Sequence, residues 1–385
     1  MRFLHTADWH VGKKLGRIDR TKEYEQVFDE LVEMARDQKV DAVLVAGDLF
    51  DRPLPPLDAI GLVVDGLLRL ADAGGQVIAI SGNHDSASLF QVLGRLLRPS
   101  GVHLVPRVVR PQDGGVIEVK SRDGSESALL GVLPFLHEAE VVDFMEASEA
   151  WHKAYSDKIG ALMQALASGF DPRRPGLLMG HYFVDGSELG GGERRIHLGE
   201  QYAATAHSVP PEASYVALGH IHRPQAIDGA ASKARYAGSL LQLDFSERAH
   251  NKEVVIVDAA AGVPAKIKSI QLRSGRKLIR VEDELEALAG RVNEFADAYL
   301  DVRVKTAGPV MGLFDQVRKV LPNAVMVQAV YERSEIDPRL VSRGGDEALA
   351  DLYAGYFLSK YGAEAPEKLL TAFRSLEDEV AHAAP

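Results

Sequence analysis

The sequence predicts an α/β fold, in which a β-sandwich of two sheets is followed by a small α/β unit and by helices at the carboxyl end. Three observations carry this prediction. The first 85 residues alternate strand, helix, strand, helix and strand, an order that favours right-handed crossovers and a mainly parallel sheet. Short apolar strands continue to about residue 272. A second, shorter alternation of strands and helices follows after residue 276.

In the first part of the chain, each predicted strand ends in acidic, amide or imidazole side chains. Asp8 and His10 follow the first strand, and Asp48 follows a continuous apolar run that is typical of a buried strand. Asn83 and His84 follow the third strand. Apolar residues at helical spacing separate the three strands. The predicted elements are strands at 2–7, 40–46 and 77–80 and helices at 21–37 and about 60–70.

The chain between residues 101 and 272 changes to shorter elements. The predicted elements are hairpins within 101–135, a helix at 138–168 and strands at 176–181, 215–222, around 235–257 and at 266–272. One of these strands ends in His181, and another ends in His220, Ile221 and His222. The glycine-rich loop 190–195 is expected to be mobile, and its two arginines could meet phosphate or simply lie on the surface.

After residue 273 the composition shifts, and further domains are predicted. The predicted elements are strands at 277–281, 300–305 and 324–330 and helices at 283–298, 312–321, 346–361 and 366–381. We assign residues 1–272 to a large domain, 276–331 to a small α/β domain and 332–385 to a helical segment. Residues 331–385 hold six Lys and Arg against eleven Asp and Glu, a formal charge of 6 - 11 = -5. Such an acidic amphipathic tail could dock on a partner or pack on its own domain.

Composition and charge limit the functions that the chain can have. The sequence has no cysteine, which excludes disulfides, thiolate metal sites and cysteine nucleophiles. Its formal net charge of -11 does not suit a protein that grips nucleic acid without help, because affinity for phosphate backbones comes mainly from clustered lysine and arginine. A nuclease is still compatible, since bound metal ions supply local positive charge. No signal peptide or membrane-spanning run is visible, so a cytoplasmic location is expected.

Eight polar residues at the ends of five predicted strands form the candidate site. They are Asp8, His10, Asp48, Asn83, His84, His181, His220 and His222. We expect the five strands to share one sheet and to bring these side chains to its carboxyl edge. The spacing of Asp8 and His10 places both side chains on the same side of an extended segment, where they can hold one ion together.

The chemistry of these side chains indicates metal ions. Carboxylate, imidazole and amide ligands without thiolate suit divalent Mn, Fe or Zn. The set exceeds the needs of one ion, whereas two ions roughly 3.5–4 Å apart that share Asp48 would use it well. A single strand-terminal histidine is usually an ordinary packed residue. The combination of D-x-H, G-D-x-x-D, G-N-H-D, G-H and G-H-x-H in this order is much more specific.

Three neighbours of these residues allow a functional and a structural interpretation. Asp51 and Asp85 could orient the histidines, or they could equally be turn or helix-cap residues. His5 lies inside the first predicted strand and is expected to be a core or supporting group. The other seven histidines carry no spacing that marks them as ligands.

Four segments resemble the signature of the calcineurin-type metallophosphoesterases. They are His-Thr-Ala-Asp-Trp-His at the amino terminus, Ala-Gly-Asp-Leu-Phe-Asp, Gly-Asn-His-Asp-Ser and Ala-Leu-Gly-His-Ile-His-Arg. In this particular form they resemble the SbcD family of bacterial nuclease subunits, strongly over about residues 1–250. The resemblance implies a four-layer β-sandwich flanked by helices, followed by an α/β capping domain and C-terminal helices. It also implies one ion held by Asp8, His10, Asp48 and His222 and another held by Asp48, Asn83, His181 and His220.

The same resemblance implies a function. Both ions would be Mn²⁺, and His84 would face the phosphate as a proton donor to the leaving oxygen rather than as a ligand. The tail helices would grip an SbcC-like, SMC-type ATPase with a long coiled coil, in a heterotetramer with two copies of each chain. DNA would be the substrate of a 3'-5' exonuclease on double strands and an endonuclease on single strands or hairpins, acting in DNA repair, recombination and replication. A homodimer of this chain is also expected.

Two other functions stay open on the sequence. The candidate metal ligands do not select the substrate by themselves, so a phosphomonoesterase or cyclic-nucleotide phosphodiesterase is the first alternative. The additional α/β domain and the apolar tail favour the nuclease, because an esterase for small substrates does not need them. The second alternative is a non-catalytic adaptor of an ATPase, which the intact set of candidate ligands disfavours.

Overall fold

A computed structural model describes residues 1–136, 148–191, 193, 203–331 and 349–383. The chain forms two compact units, Met1–Leu278 and Ile279–Pro385. The first unit holds all the candidate site residues. The predicted boundary between the small domain and the helical segment, at residue 332, falls outside the described residues, so the division into three domains stays a prediction.

The first unit contains two six-stranded sheets in the part that the structure describes. Its strands are β1 (Arg2–Thr6), β2 (Ala42–Val45), β3 (Gln76–Ile80), β4 (Val102–Val105), β5 (Val116–Lys120), β6 (Ser127–Leu133), β7 (Gly176–His181), β8 (Phe183–Val184), β9 (Ala203–Ala204), β10 (Tyr215–Gly219), β11 (Gln225–Ala226), β12 (Ala234–Tyr236), β13 (Glu253–Ala260) and β14 (Val263–Gln271). Sheet one has the order β14-β13-β1-β2-β3-β4, sheet two has the order β11-β12-β10-β7-β6-β5, and β8 and β9 form a separate two-stranded sheet. Strands β1 to β4 are mutually parallel, as are β6, β7, β10 and β12.

Helices cover the outer faces of the two sheets. They are α1 (Thr21–Asp37), α2 (Leu57–Gly74), α3 (Ala87–Leu97) and α4 (Ser148–Ala167). The first three pack on sheet one through residues such as Phe28, Val63 and Phe90, and α4 packs on sheet two through Ile159 and Met163. The order helix, sheet, sheet, helix gives four layers, so the predicted fold class is confirmed.

The space between the sheets is filled by the inward side chains of the strands. Phe3 and Leu44 of sheet one belong to the same buried cluster as Leu130 and Met179 of sheet two. Leu4, next to Phe3, belongs instead to the cluster under the helices, because successive side chains of a strand point to opposite faces. The strands that carry the candidate site are therefore fixed on both faces.

Several details of the sequence prediction were wrong or incomplete. The five strands that carry the site do not share one sheet: three lie in sheet one, and two, β7 and β10, lie in sheet two. The segment 101–135 is not all hairpins, because β4 pairs in parallel with β3, and only β5 and β6 form an antiparallel pair. Helix α3 was missed. The predicted helix at 138–168 is described only from Ser148 onward.

The second unit is a small sheet with flanking helices. Its strands are β15 (Lys277–Asp283), which begins at the boundary of the units, β16 (Ala298–Lys305) and β17 (Ala324–Val330), and its helices are α5 (Leu285–Ala289), α6 (Leu313–Val320), α7 (Leu349–Tyr361) and α8 (Glu367–Ala383). The order of the sheet is β15-β16-β17. In the two terminal helices, Tyr353 stacks on Phe373 with ring centroids 4.5 Å apart. Among the described residues of both units, no helix is both long and apolar enough to cross a membrane.

Candidate metal centre

The candidate side chains lie together at one edge of the sandwich. Asp8, Asp48 and Asn83 follow β1, β2 and β3, whereas His181 ends β7 and His220 follows β10. All of these strands run parallel to a neighbour in the same sheet, and the carboxyl ends of parallel strands meet at one edge. All eight candidate residues are at most 7% exposed. The sequence therefore identified a real cluster, although two sheets rather than one supply it.

Three overlapping sets of side chains in this cluster could each hold a metal ion. In every set, one nitrogen or oxygen atom of each residue lies within 4.8 Å of the others. The sets are Asp8, His10 and His222; His10, Asp48 and His84; and Asp8, Asp48 and His181. On the other side of the cluster, the amide oxygen Oδ1 of Asn83 lies 3.0 Å from His181 Nε2 and 3.0 Å from His220 Nδ1. The donors are thus spread over more space than one ion would occupy.

Four of the candidate residues have a left-handed backbone. Asp8, His10, Asp48 and His220 have φ angles of 50°, 48°, 54° and 99°. The expectation that Asp8 and His10 lie on an extended segment was therefore wrong, because β1 has already ended at Thr6. Such conformations cost roughly 1–3 kcal/mol each and persist only where the surroundings enforce them. Here the backbone N–H of Asp8 donates to the carbonyl of Gly47, and that of His10 donates to the carbonyl of Asp48, each at a distance of 3.0 Å.

The glycines of the sequence motifs allow the strand ends to approach one another. A Cβ atom on Gly82 would lie 2.1 Å from Asp48 Oδ1, and one on Gly219 would lie 1.9 Å from the carbonyl oxygen of Ala46. A Cβ atom on Gly47 would lie 2.2 Å from His181 Nδ1. Each glycine therefore makes room for a candidate ligand or for its hydrogen-bond partner.

The surroundings of His181 fit a bound cation. Its Nδ1 lies 2.7 Å from the carbonyl oxygen of Ala46, which can only accept, so Nδ1 carries the hydrogen. The opposite nitrogen, Nε2, faces two oxygen acceptors, Asn83 Oδ1 at 3.0 Å and Asp48 Oδ2 at 3.5 Å. Positive charge is required between these atoms, either as a proton on the ring or as a metal ion. Carboxylate, amide and imidazole donors without thiolate suit a divalent ion.

The ring of His222 is oriented in the same way as that of His181, but its hydrogen-bond acceptor is a charged carboxylate. Its Nδ1 lies 2.9 Å from the carboxylate oxygen Oε1 of Glu247, so Nδ1–H donates and Nε2 points the other way. That Nε2 lies 3.1 Å from Nε2 of His10. His10 Nε2–H can donate to this nitrogen, or a cation bound by both nitrogens can take the place of that hydrogen. The cluster as a whole therefore fits a divalent metal site.

Sequence reasoning missed the residues that hold His222. Lys252 donates from Nζ to Glu247 Oε2 over 2.7 Å, to Ser239 Oγ over 2.7 Å and to the carbonyl oxygen of His222 over 3.0 Å. All of these side chains are buried. Ser239 follows a strand in the sequence, but Glu247 and Lys252 have no spacing that marks them. What marks Glu247 and Lys252 is that they form a buried charged pair, and burial cannot be recognised from the sequence.

The structure gives His84, Asp51 and Asp85 separate positions. The Nδ1–H of His84 donates to the carbonyl oxygen of Asp51 over 2.7 Å, and the rings of His84 and His10 meet edge to face with centroids 4.5 Å apart. The Asp51 carboxylate lies 3.2 Å from Lys13 Nζ and 4.0 Å from His10 Nδ1. Asp85 accepts instead from the backbone N–H groups of Leu49, Phe50 and Gly82, over 3.2, 3.0 and 2.9 Å. It ties the loop after β3 to the loop after β2.

Burial and mutual charge shift the pKa values of the cluster. Burial raises the pKa of Asp8 to about 6 and that of Asp85 to about 7. Burial would also raise the pKa of Asp48, but His181 and His84 hold it well below its usual value. For His181, burial lowers the pKa, and Asp48 outweighs this and raises it to about 9. Asp48 is thus the carboxylate best prepared to stay negatively charged.

The glycine-rich loop approaches the cluster through Glu193. The Glu193 carboxylate accepts from the backbone N–H groups of Gly190, Gly191 and His222, over 2.7, 2.6 and 3.0 Å. Glu193 is 8% exposed. The two arginines of the loop, at positions 194 and 195, lie outside the described residues. A link between this loop and a candidate ligand was not predicted.

Comparisons with known proteins agree with this geometry. A family model described as calcineurin-like phosphoesterase matches residues 1–224. Three curated relatives are named as the SbcD component of the nuclease SbcCD. The relative from Bacillus subtilis is 31% identical over 96% of this chain and 95% of its own length. The relative from Rhodobacter capsulatus is 35% identical over 68% of this chain and 67% of its own length. The relative from Escherichia coli K12 is 27% identical over 90% of this chain and 86% of its own length. The chain therefore belongs to the calcineurin-like phosphoesterase family and, within it, to the SbcD family of nuclease subunits.

Proposed function

We propose that this chain is the nuclease subunit of an SbcCD-type complex and hydrolyses DNA phosphodiester bonds with two divalent ions, most suitably Mn²⁺. The observation that carries the proposal is the buried cluster in which oxygen and nitrogen donors from five strand ends face one another. Membership of the SbcD family supports DNA as the substrate. The proposed activities are a 3'-5' exonuclease on double strands and an endonuclease on single strands and hairpins.

Each ion has its own donors in this proposal, with Asp48 between them. One ion is held by Asp8, His10, Asp48 and His222, and the other by Asp48, Asn83, His181 and His220. The first group is supported by the ligand set Asp8, His10 and His222, whose donor atoms lie within 4.8 Å of one another. The second is supported by the 3.0 Å distances from Asn83 Oδ1 to the two histidines.

His84 provides the acid in this proposal. Bound divalent ions would lower the pKa of a water molecule and neutralise the phosphate oxygens that repel a nucleophile. The oxygen that leaves phosphorus needs a proton or a strong hydrogen bond. Because the Nδ1–H of His84 already donates to Asp51, the proton for the leaving oxygen is carried on Nε2. His84 is held by Asp51 in a position next to His10, so its ring orientation is set before DNA arrives.

The net charge supports a partner that helps to hold DNA. The chain carries 44 Lys and Arg against 55 Asp and Glu, and affinity for DNA needs clustered cations. In the proposed complex an SbcC-like ATPase provides that surface and controls access to double-stranded DNA. A heterotetramer with two copies of each chain, formed around a homodimer of this chain, is part of the same proposal.

The test compares DNA with a small substrate. Wild type, His84→Ala and the control His103→Ala, which changes a histidine of β4, are assayed with Mn²⁺ on single-stranded DNA and on a chromogenic phosphodiester. We expect His84→Ala to lower DNA cleavage roughly 10²–10⁴-fold without loss of metal binding, and His103→Ala to behave as wild type.

Two results would contradict the proposal. Turnover of the small diester by a wild-type protein that leaves DNA intact would favour an esterase for small substrates. Fewer than two bound ions together with no hydrolysis of either substrate would favour an adaptor of an ATPase.

A further inference from the structure

His222 is held by charged groups at its backbone and at its ring. Its N–H donates to Glu193, its carbonyl oxygen accepts from Lys252, and its Nδ1–H donates to Glu247. The first two contacts fix the peptide groups on both sides of the residue. The third fixes the rotation of the imidazole, and therefore the direction of Nε2.

Glu247 is itself fully engaged. Its Oε1 accepts from His222, and its Oε2 accepts from Lys252 Nζ, from the Leu243 N–H over 3.1 Å and from the Ser239 hydroxyl over 3.3 Å. Glu247 is 0% exposed and Lys252 is 6% exposed. A buried ion pair costs desolvation of both charges and is weak evidence of a stabilising role. Its position against the candidate ligand His222 points instead to a role in metal binding.

At the other candidate ion position, the hydrogen-bond acceptor behind His181 is a neutral group. The Nδ1–H of His181 donates to the neutral carbonyl of Ala46, and its Nε2 faces the other candidate ligands Asn83 and Asp48. A carboxylate that accepts from the Nδ1–H of an imidazole increases the basicity of the opposite, metal-binding nitrogen, and a peptide carbonyl increases it less. The two positions are therefore chemically unequal.

We propose that Glu247, fixed by Lys252, is a positioning residue for His222 and supports the ion position of Asp8, His10 and His222 selectively. The inference rests on the proposed two-ion function. It adds that the two ions bind in distinguishable steps and that the Glu247–Lys252 pair strengthens only one of them. The position of Asn83, His181 and His220 should be insensitive to the pair.

Two double variants separate the positioning role from simple packing. In E247L/K252M both charges and the acceptor for His222 are lost, whereas E247Q/K252M also removes both charges but keeps an oxygen that can accept from His222. In both variants the two charges are removed together, so neither residue of the pair is left as an unpaired buried charge. The control is Asp301→Asn, which alters a buried carboxylate paired with Arg280 over 2.6 Å in the second unit.

The experiment is a titration of each metal-free protein with Co²⁺, followed by heat release and by the visible absorption of the bound ion. We expect E247L/K252M to weaken one of two binding steps roughly 10–100-fold and to lose the absorption of that position, with the other step unchanged. E247Q/K252M should recover most of the lost affinity, and Asp301→Asn should match wild type. If E247L/K252M does not fold, Glu247→Gln alone should weaken the same single step several-fold.

Other results would overturn the inference. Equal weakening of both steps, or equal behaviour of the Leu and Gln double variants, would mean that the pair only stabilises the fold. No effect of either double variant on metal binding would also refute the positioning role. If wild type itself binds fewer than two ions, the proposed function fails and this inference fails with it. If wild type binds two ions but the double variants show no selective effect, only the inference fails.

Discussion

At the scale of single residues, surroundings give the buried histidines of this chain different tasks. His5 lies between the sheets with its Nδ1 2.9 Å from the Tyr215 hydroxyl, and burial lowers its pKa to about 3. His181 has the opposite shift, because Asp48 overcomes the effect of burial and raises its pKa to about 9. One side chain is thus held neutral as part of the core, and the other is prepared to share a positive charge or a metal ion.

The neutral state of His5 predicts a loss of stability in acid. The unfolded chain takes up a proton below the ordinary histidine pKa of 6.5, whereas folded His5 does so only near 3. Stability contributed by the neutral ring is therefore complete above pH 6.5 and falls as the pH drops towards 3. Between pH 6.5 and 5 the loss should be about 2 kcal/mol.

The measurement compares the free energy of unfolding of wild type and His5→Gln as a function of pH, both without metal. The candidate ligands titrate in both proteins, so their contribution cancels in the difference. Wild type should lose about 2 kcal/mol more than His5→Gln over this range. Parallel curves would show that His5 does not titrate as argued.

At the scale of elements, the ends of strands from both sheets must come close enough for their side chains to meet. Gly219, the last residue of β10, packs against the end of β2 in such a way that a Cβ atom would lie 1.9 Å from the Ala46 oxygen and 3.0 Å from His181 Nδ1. The Ala46 oxygen is the group that orients His181. A methyl group at this point would push apart two strand ends that supply candidate ligands.

We therefore expect Gly219→Ala to weaken metal binding at least tenfold and to destabilise the fold by about 1–3 kcal/mol. The control is Gly61→Ala in α2, where a Cβ atom would meet nothing within 4 Å. That change should leave metal binding intact and stabilise the helix by roughly 0.5–1 kcal/mol. Calorimetric titration and thermal unfolding measure both effects, and wild-type metal affinity in Gly219→Ala would refute the close-approach argument.

The elements also show what the sequence could and could not predict. Apolar runs that end in Asp48, Asn83 or His181 reveal strands and their polar ends, because both features are local. The partition of strands between two sheets was not predictable in this way, since it depends on pairing between distant residues such as Leu4 with Val43 and Ile256.

Two properties of the site could be recognised only in the structure. The left-handed backbone of His10 and His220 is imposed by neighbouring segments, and the presence of a histidine is not enough to predict it. The contact between Glu247 and His222 joins residues 25 positions apart. A buried charged pair is invisible in the sequence, because glutamate and lysine usually lie on the surface.

At the scale of the whole molecule, the candidate ligands lie in one of the two compact units. All of them belong to Met1–Leu278. The second unit ends in two helices, α7 and α8, whose described aromatic side chains include Tyr356, 52% exposed. This arrangement agrees with a tail that docks on a partner, which stays a prediction.

Deletion of residues 331–385 tests that prediction. The truncated chain should lose binding to a purified SbcC-like ATPase and keep Mn²⁺-dependent cleavage of single-stranded DNA, because every candidate ligand remains. Deletion of 367–385 alone, which removes α8 and keeps α7, shows whether both helices are needed. Loss of DNA cleavage together with partner binding would count against a separable docking tail.

We propose that one cluster holds two divalent ions with Asp48 between them. Crystals grown with Mn²⁺ and measured at the manganese absorption edge test it most directly. We expect two anomalous peaks roughly 3.5–4 Å apart, one bounded by Asp8, His10 and His222 and the other by Asn83, His181 and His220. A single peak, or peaks away from Asp48, would contradict the two-ion site.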